Sequence, residues 1–96
     1  MSERLYYTAP SEQYFEEVKV AAIKVWNQYD DTFGYASEKT KRISNIQNVS
    51  DNFMYIVAMF DYPNQRKLAN LLSDETRKEI RDRMIDGGNP LEYIPF

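Results

Sequence analysis

The 96-residue sequence contains no cysteine and no histidine. Without cysteine there is no disulfide framework and no thiolate chemistry, and without histidine the commonest general base and metal ligand are missing. These absences exclude a zinc site and a Ser-His-Asp triad. The three glycines, Gly34, Gly87 and Gly88, form no glycine-rich phosphate-binding loop.

The remaining route to catalysis is a pair of carboxylates. Glu12 and Glu16 are spaced by one helical turn, and Asp30 and Asp31 are adjacent. Both pairs are interpreted more simply as solvated positions, and no segment has the alternating oxygen ligands of a calcium loop. The sequence therefore predicts a protein that is not an enzyme and that needs no metal and no cofactor.

Long apolar runs are also missing. No run approaches the roughly 18 residues that a membrane-spanning helix needs, and residues 1–5 lack the basic start and apolar stretch of a signal peptide. We expect a cytoplasmic protein that does not associate with membranes.

The charge is mild, with 12 basic and 15 acidic residues and a net charge of −3. Residues 1–34 contain six acids and three bases, whereas the rest of the chain is balanced. A net charge this small is too weak for a DNA mimic and does not indicate a nucleic-acid binder.

Aromatic residues are abundant, with eight Tyr, five Phe and one Trp. A domain of this size buries only about 60–65 % of the surface that its unfolded chain exposes. Tyrosine suits the boundary of such a thin core, and it is also enriched at protein interfaces. The boundary role is the simpler interpretation, and a binding role is the alternative.

The spacing of apolar residues predicts a single all-α domain over residues 1–96, arranged as a small antiparallel helical bundle. After an extended arm at residues 1–9, a first long helix follows Pro10 and ends near Gly34. Its amphipathic stripe comprises Tyr14, Phe15, Val18, Ala21, Ala22, Val25, Trp26 and Tyr29.

A second long helix is predicted after the N-cap Ser37, with a stripe that continues to Phe60. The polar cluster at residues 50–52 would either kink this helix or cap a new one. The apolar run from Phe53 to Phe60 fits a helix buried on all sides or a strand. We favour a helix, because no other segment has the alternating pattern of a partner strand.

Two more helices and a tail complete the prediction. Pro63 ends the preceding helix, and a short helix with apolar residues at 68–72 follows it. Ser73 caps a further helix that Gly87 and Gly88 end. The tail at residues 89–96 contains two prolines and is expected to be extended.

Binding residues are predicted in the last two helices and the tail. Arg77 and Arg81 share a helix face, so that together with Arg66 they could grip an anionic surface or phosphate. Acid-to-base pairs at 74/78 and 79/83 favour instead a solvated, ion-paired helix. Tyr93 and Phe96 are the predicted contacts from the tail.

Self-association is predicted because the apolar surface exceeds what a thin core can cover. The expected interface combines residues of the second helix with residues of the tail, namely Phe53, Ile56, Val57, Phe60, Leu91 and Ile94. The tail alternatively covers the core of its own subunit.

The function predicted from these features is a non-catalytic protein-binding module of accessory or inhibitor type, which occupies a partner surface and forms a homo-oligomer. One alternative is a small-ligand or nucleotide binder with a pocket between helices or subunits. The other alternative is a structural assembly component.

Overall fold

The computed structural model describes residues 11–28 and 36–96, with the side chains of 36–38 excepted. This part of the chain contains five α-helices and no strand, which confirms the all-α class. We number the helices α1 (Glu12–Asn27), α2 (Ala36–Asn48), α3 (Met54–Val57), α4 (Tyr62–Ala69) and α5 (Asp74–Asp86). A 3-10 turn follows at Leu91–Tyr93.

Helix α1 forms the centre of the fold, since it packs against each of the other four helices. Its buried residues are spaced by three or four positions, which places them on one stripe of the helix. Trp26 belongs to this stripe as predicted, and its ring lies 5.7 Å from the ring of Phe60. The buried residues of α1 are Val18, Ala21, Ala22, Val25 and Trp26.

The predicted second long helix is interrupted after Asn48. The side-chain oxygen of Asn52 accepts a hydrogen bond from the backbone N–H of Met54 at 2.9 Å. A short polar side chain that bonds to a nearby backbone group competes with a continuous helix. The cluster at residues 50–52 therefore precedes a new helix, α3, which is the second of the two outcomes expected from the sequence. The predicted second long helix ends at Asn48.

Helix α3 and the turn after it carry the apolar run at residues 53–60 into the core. Phe53 and Ile56 are fully buried, and Val57 is nearly so. The side-chain amide of Gln65 donates to the carbonyl oxygens of Val57 at 3.2 Å and Phe60 at 3.1 Å. These bonds join this side chain of α4 to the backbone at the end of α3 and in the turn after it.

Helix α4 begins at an N-cap that the sequence did not single out. The Asp61 carboxylate accepts a hydrogen bond from the backbone N–H of Asn64, and Pro63 lies in the first turn. Both features favour helix initiation. Leu68 and Ala69 bury the inner side of α4, whereas Arg66 and Lys67 are exposed.

The C-terminal tail differs from the extended segment predicted from its prolines. Residues 91–93 form one 3-10 turn, in which Tyr93 N–H donates to the Pro90 carbonyl at 3.0 Å. Proline precedes this turn rather than interrupting it, so the turn loses no internal hydrogen bond. Ile94 then packs on the core, and Phe96 is 8 % exposed.

The N-terminal arm predicted at 1–9 lies outside the described residues. The first helix ends at Asn27, earlier than the predicted end near Gly34. Ser37 lies inside α2, which begins at Ala36, so Ser37 is not the N-cap that the sequence predicted. The antiparallel order of the helices and the single-domain boundary at 1–96 stay predictions.

Candidate functional site

Helix α5 has two chemically different faces. Its buried face carries Thr76, Ile80, Arg83 and Met84, which are spaced by three or four residues and point into the fold. The opposite face carries Arg77, Lys78 and Arg81. Since residues four apart lie above one another on a helix, these three cations form one continuous surface.

The N-terminus of α5 is fixed by its cap and by a carboxylate from α1. The Ser73 hydroxyl accepts a hydrogen bond from Thr76 N–H at 3.3 Å, which confirms the predicted N-cap. The carboxylate of Glu17 accepts from Ser73 N–H at 2.5 Å and from the Thr76 hydroxyl at 2.5 Å. It also accepts from the Ser73 hydroxyl at 3.2 Å. Glu17 thus joins α1 to the positive end of α5.

The pKa of Glu17 is lowered by this arrangement. Partial burial alone would raise the pKa, because burial disfavours the charged carboxylate. The hydrogen bonds donated by Ser73 and Thr76 outweigh the effect of burial, since they stabilise the ionised form. Glu17 is therefore kept as a structural anion, a role that the sequence did not predict.

Arg83 is a buried cation on the inner face of α5, and its side chain is 3 % exposed. Its Nε donates to a carboxylate oxygen of Glu79 at 2.9 Å, which confirms the ion pair expected from their spacing. The guanidinium carbon also lies 5.0 Å from the ring centre of Phe53, within cation–π range. Arg83 is therefore part of the core and not of a binding surface.

The C-terminal end of α5 turns the chain back onto the fold. Gly88 N–H donates to the Ile85 carbonyl at 3.0 Å, and Asn89 N–H donates to the Met84 carbonyl at 2.9 Å. This is the Schellman pattern, and it requires the φ of 91° found at Gly88, which favours glycine. The predicted stop at Gly87 and Gly88 is confirmed, and the turn leads into Leu91–Tyr93.

An open cleft of about 390 Å³ lies on the exposed side of α5. We call it the basic cleft, and it is lined by Asp74, Arg77, Lys78, Arg81 and Phe96. Three positive side chains thus face a single negative one. Asp74 forms its ion pair with Arg77, instead of the pair with Lys78 expected from their spacing. Phe96 supplies an apolar wall from the C-terminal segment.

The structure thus brings together three of the five predicted binding residues, Arg77, Arg81 and Phe96. Arg66 is exposed on α4 and does not line the cleft. Tyr93 does not line it either, but it is 62 % exposed in the 3-10 turn that precedes Phe96. A specific ligand for any of these residues stays a prediction.

The predicted interface residues divide into two groups. Phe53, Ile56, Val57 and Phe60 are at most 5 % exposed and lie in the core of their own chain. The expectation that these four residues present free surface is wrong, because their side chains are covered by their own chain. In the tail, Leu91 is 69 % exposed and Ile94 is half-buried.

Two of the three basic residues of α2 contact other parts of their own chain. Lys39 donates to the Asn27 carbonyl at 3.4 Å, close to the C-terminus of α1. The Arg42 guanidinium lies 6.0 Å from the Trp26 ring centre. A cation is favourable near the end of a helix and over an indole ring. Lys39 and Arg42 thus contact their own fold, whereas Arg77, Lys78 and Arg81 line a cleft.

Sequence reasoning missed two members of the exposed α5 surface. Lys78 was assigned to an ion pair with Asp74, but within residues 11–28 and 36–96 it forms no ion pair. Ile85 was not among the predicted binding residues, but it is 45 % exposed. Ile85 lies four residues after Arg81 on the same face, and that spacing was the signal available.

A second, smaller cavity of about 210 Å³ lies between α1 and the segment that precedes α5. Val20 and Leu71 contribute apolar walls and are both partly exposed, at 46 % and 42 %. Glu16, Glu17 and Lys24 also line it, so its charged groups have both signs. Its two acids and one base leave a small negative charge, so of these two sites the basic cleft is the positive one.

The described ranges contain no helix that is long and apolar enough to cross a membrane. In the same ranges, no three acidic side chains come together in a group able to hold a metal ion. Comparison with protein-family models, curated proteins and solved structures finds no match to this chain.

Proposed function

We propose that this chain is a non-catalytic protein-binding module, of accessory or inhibitor type, that acts by occupying a partner surface through the basic cleft. The observation that supports this function is the combination of three cations with exposed apolar side chains at one end of α5. Leu91, Tyr93 and Ile85 are between 45 % and 69 % exposed. Aromatic residues and arginine are the residue types that interfaces favour.

The shape of the cleft favours a protein partner over a small ligand. Small-molecule sites bury 70–90 % or more of the ligand surface and range from about 300 to 1,000 Å³. The basic cleft has about 390 Å³ and is open to solvent on one side. A small ligand would stay largely exposed in it, whereas a protein could cover the cleft and the neighbouring apolar turn together.

Affinity capture with matched variants tests this function. The bait is the whole chain, compared with the double variant Arg77→Ala/Arg81→Ala and with the control Arg66→Ala/Lys67→Ala. The control removes the same number of charges from exposed α4 positions outside the cleft. We expect a protein that binds the wild type and the control, fails to bind the cleft variant, and binds again when purified. A bound protein that is insensitive to the cleft variant would contradict this function.

A second copy of the chain is the other partner that the exposed tail favours. Leu91 and Tyr93 are apolar side chains in contact with solvent, and exposed apolar patches often mark interfaces. We propose a homo-oligomer in which these residues contribute to the contact. Light scattering coupled to size exclusion should show a mass above that of the monomer, and Leu91→Ser/Tyr93→Ser should lower it. A monomer mass for the wild type would remove this proposal.

A cytoplasmic location also stays a prediction.

A further inference from the structure

We infer that the partner segment taken by the basic cleft is an acidic peptide with carboxylates at alternate positions and an apolar side chain beside them. This inference deepens the protein-binding function proposed above and rests on it. It names the chemistry that the partner must present, and it follows from the charge, the spacing and the apolar rim of the cleft.

The charge of the cleft is positive and incompletely balanced. Asp74 is the single carboxylate in the lining, and it is already paired with Arg77. Lys78 and Arg81 form no ion pair with any carboxylate of the described part of the chain. The cleft therefore favours an anionic ligand, and guanidinium groups bind carboxylates through paired hydrogen bonds.

The spacing of the cations matches an extended peptide. Arg77 and Arg81 are four residues apart on α5, which separates them by roughly 6 Å along the helix axis. An extended chain advances about 3.3 Å per residue, so alternate residues are separated by a similar distance and point to the same side. Carboxylates at alternate positions of an extended segment can therefore meet both arginines at once.

Apolar surface flanks the cations. Phe96 lines the cleft but is only 8 % exposed, whereas Ile85 lies one turn beyond Arg81 on the same helix face and is 45 % exposed, so Ile85 supplies most of this surface. A purely charged ligand would leave this surface in water. An apolar side chain next to the carboxylates would cover it, and the burial of apolar area would add to the affinity.

The charge of the rest of the chain argues against a long polyanion. The protein has a net charge of −3, and its acidic excess lies in the first third of the sequence. A protein with this net charge has no general attraction for an extended polyanion such as a nucleic acid. A short acidic segment contacts the cleft alone.

Fluorescence anisotropy with synthetic peptides tests the inference on the whole chain. The probe is a labelled peptide with two glutamates at alternate positions and a neighbouring phenylalanine. Its matched controls replace the glutamates by glutamines, or place the same two glutamates at adjacent positions. We expect the acidic probe to bind, the amide peptide not to bind, and the adjacent-acid peptide to bind more weakly. Added salt should weaken binding, as screening requires.

Protein variants complete the test. Arg77→Gln/Arg81→Gln should weaken binding of the acidic probe by roughly 10- to 100-fold, because two charge-assisted contacts are lost. Arg66→Gln/Lys67→Gln removes the same charge outside the cleft and should leave binding within about twofold, since exposed charges far from the ligand are screened. Circular dichroism should show that both variants are folded.

The outcomes separate the inference from the function on which it rests. Equal binding of the acidic and amide peptides, or equal loss in both protein variants, would overturn the acidic-peptide inference. Tighter binding of an oligonucleotide or of anionic lipid vesicles would do so as well. If a captured protein partner depends on the cleft but the acidic probe does not bind, the inference fails and the protein-binding function remains. If binding of the probe and binding of any captured partner are both independent of the cleft, the acidic-peptide inference and the protein-binding function both fail.

Discussion

Two arginines on α5, Arg81 and Arg83, are two positions apart and serve opposite purposes. Arg83 is 3 % exposed, is paired with Glu79 at 2.9 Å, and lies over the ring of Phe53. Arg81 lines an open cleft and has no ion pair within the described residues. Arginine is thus part of the core at position 83 and available to a ligand at position 81.

This difference follows from the helical repeat. A step of two residues turns an α-helix by roughly 200°, so Arg81 and Arg83 face opposite sides of α5. The buried side must satisfy any charge that it contains, because an unpaired buried charge is costly. The exposed side has no such requirement, since water solvates its cations. Positive charges that form no ion pair within the fold can therefore lie on the exposed side of α5, where a partner can bind them.

The largest effect on stability is expected from Arg83→Ala. The change removes a buried ion pair and a contact with Phe53, and we expect the free energy of unfolding to fall by about 3 kcal/mol, at the low end for a broken buried pair because Glu79 remains partly solvated. Urea unfolding followed by circular dichroism measures this change. Arg83→Met keeps most of the packing and should cost less. An unchanged midpoint for Arg83→Ala would place this arginine on the surface.

A smaller effect is expected from Glu17→Gln, and it should depend on pH. The folded state lowers the pKa of Glu17 below the ordinary value of 4.5, so its contribution is present above that pH and is lost as the pH falls through the folded pKa. We expect a loss of about 1 kcal/mol near neutral pH, discounted for partial exposure. The difference from the wild type should shrink toward zero in acid. A pH-independent difference would show that the charge of Glu17 is not what stabilises α5.

The smallest effect on stability is expected at the exposed cations. Arg81→Ala should change the free energy of unfolding by no more than about 0.5 kcal/mol, as is usual for surface positions. Arg77→Ala loses only an exposed pair with Asp74 and should cost about 0.2–1 kcal/mol. The same urea unfolding measurement compares both variants with Arg83→Ala. A loss at Arg81 as large as that at Arg83 would contradict the division of α5 into two faces.

The fold could be predicted where a single local rule decides the structure. The stripe of α1, the Ser73 cap and the Gly87-Gly88 stop each follow from spacing or backbone geometry, and the structure confirms them. The break between α2 and α3 at residues 49–53 could not be predicted with certainty from the sequence. At Asn52 the sequence is compatible both with a side chain that caps a new helix and with a helix that continues. The prediction of an extended tail was wrong for a related reason, since proline excludes a long helix but not a single 3-10 turn.

The candidate site could be predicted in part. The spacing of Arg77 and Arg81 indicated a shared face. Phe96 was predicted as a contact from the tail, but no local rule in the sequence shows that the tail lies beside α5. The prediction of an interface at residues 53–60 failed because the apolar content of a sequence does not show which residues its own fold covers. Glu17 was missed because its partners, Ser73 and Thr76, are more than 50 residues away in the sequence.

The most direct test of the exposed α5 face as a binding surface is an amide nuclear magnetic resonance titration of the whole chain with the acidic probe peptide. We predict chemical-shift changes at Arg77, Lys78, Arg81 and Ile85 and in the segment from Leu91 to Phe96, with none at Arg66. Shifts centred instead on Val20 and Leu71, in the smaller cavity, would contradict the account, as would a spectrum that the peptide leaves unchanged.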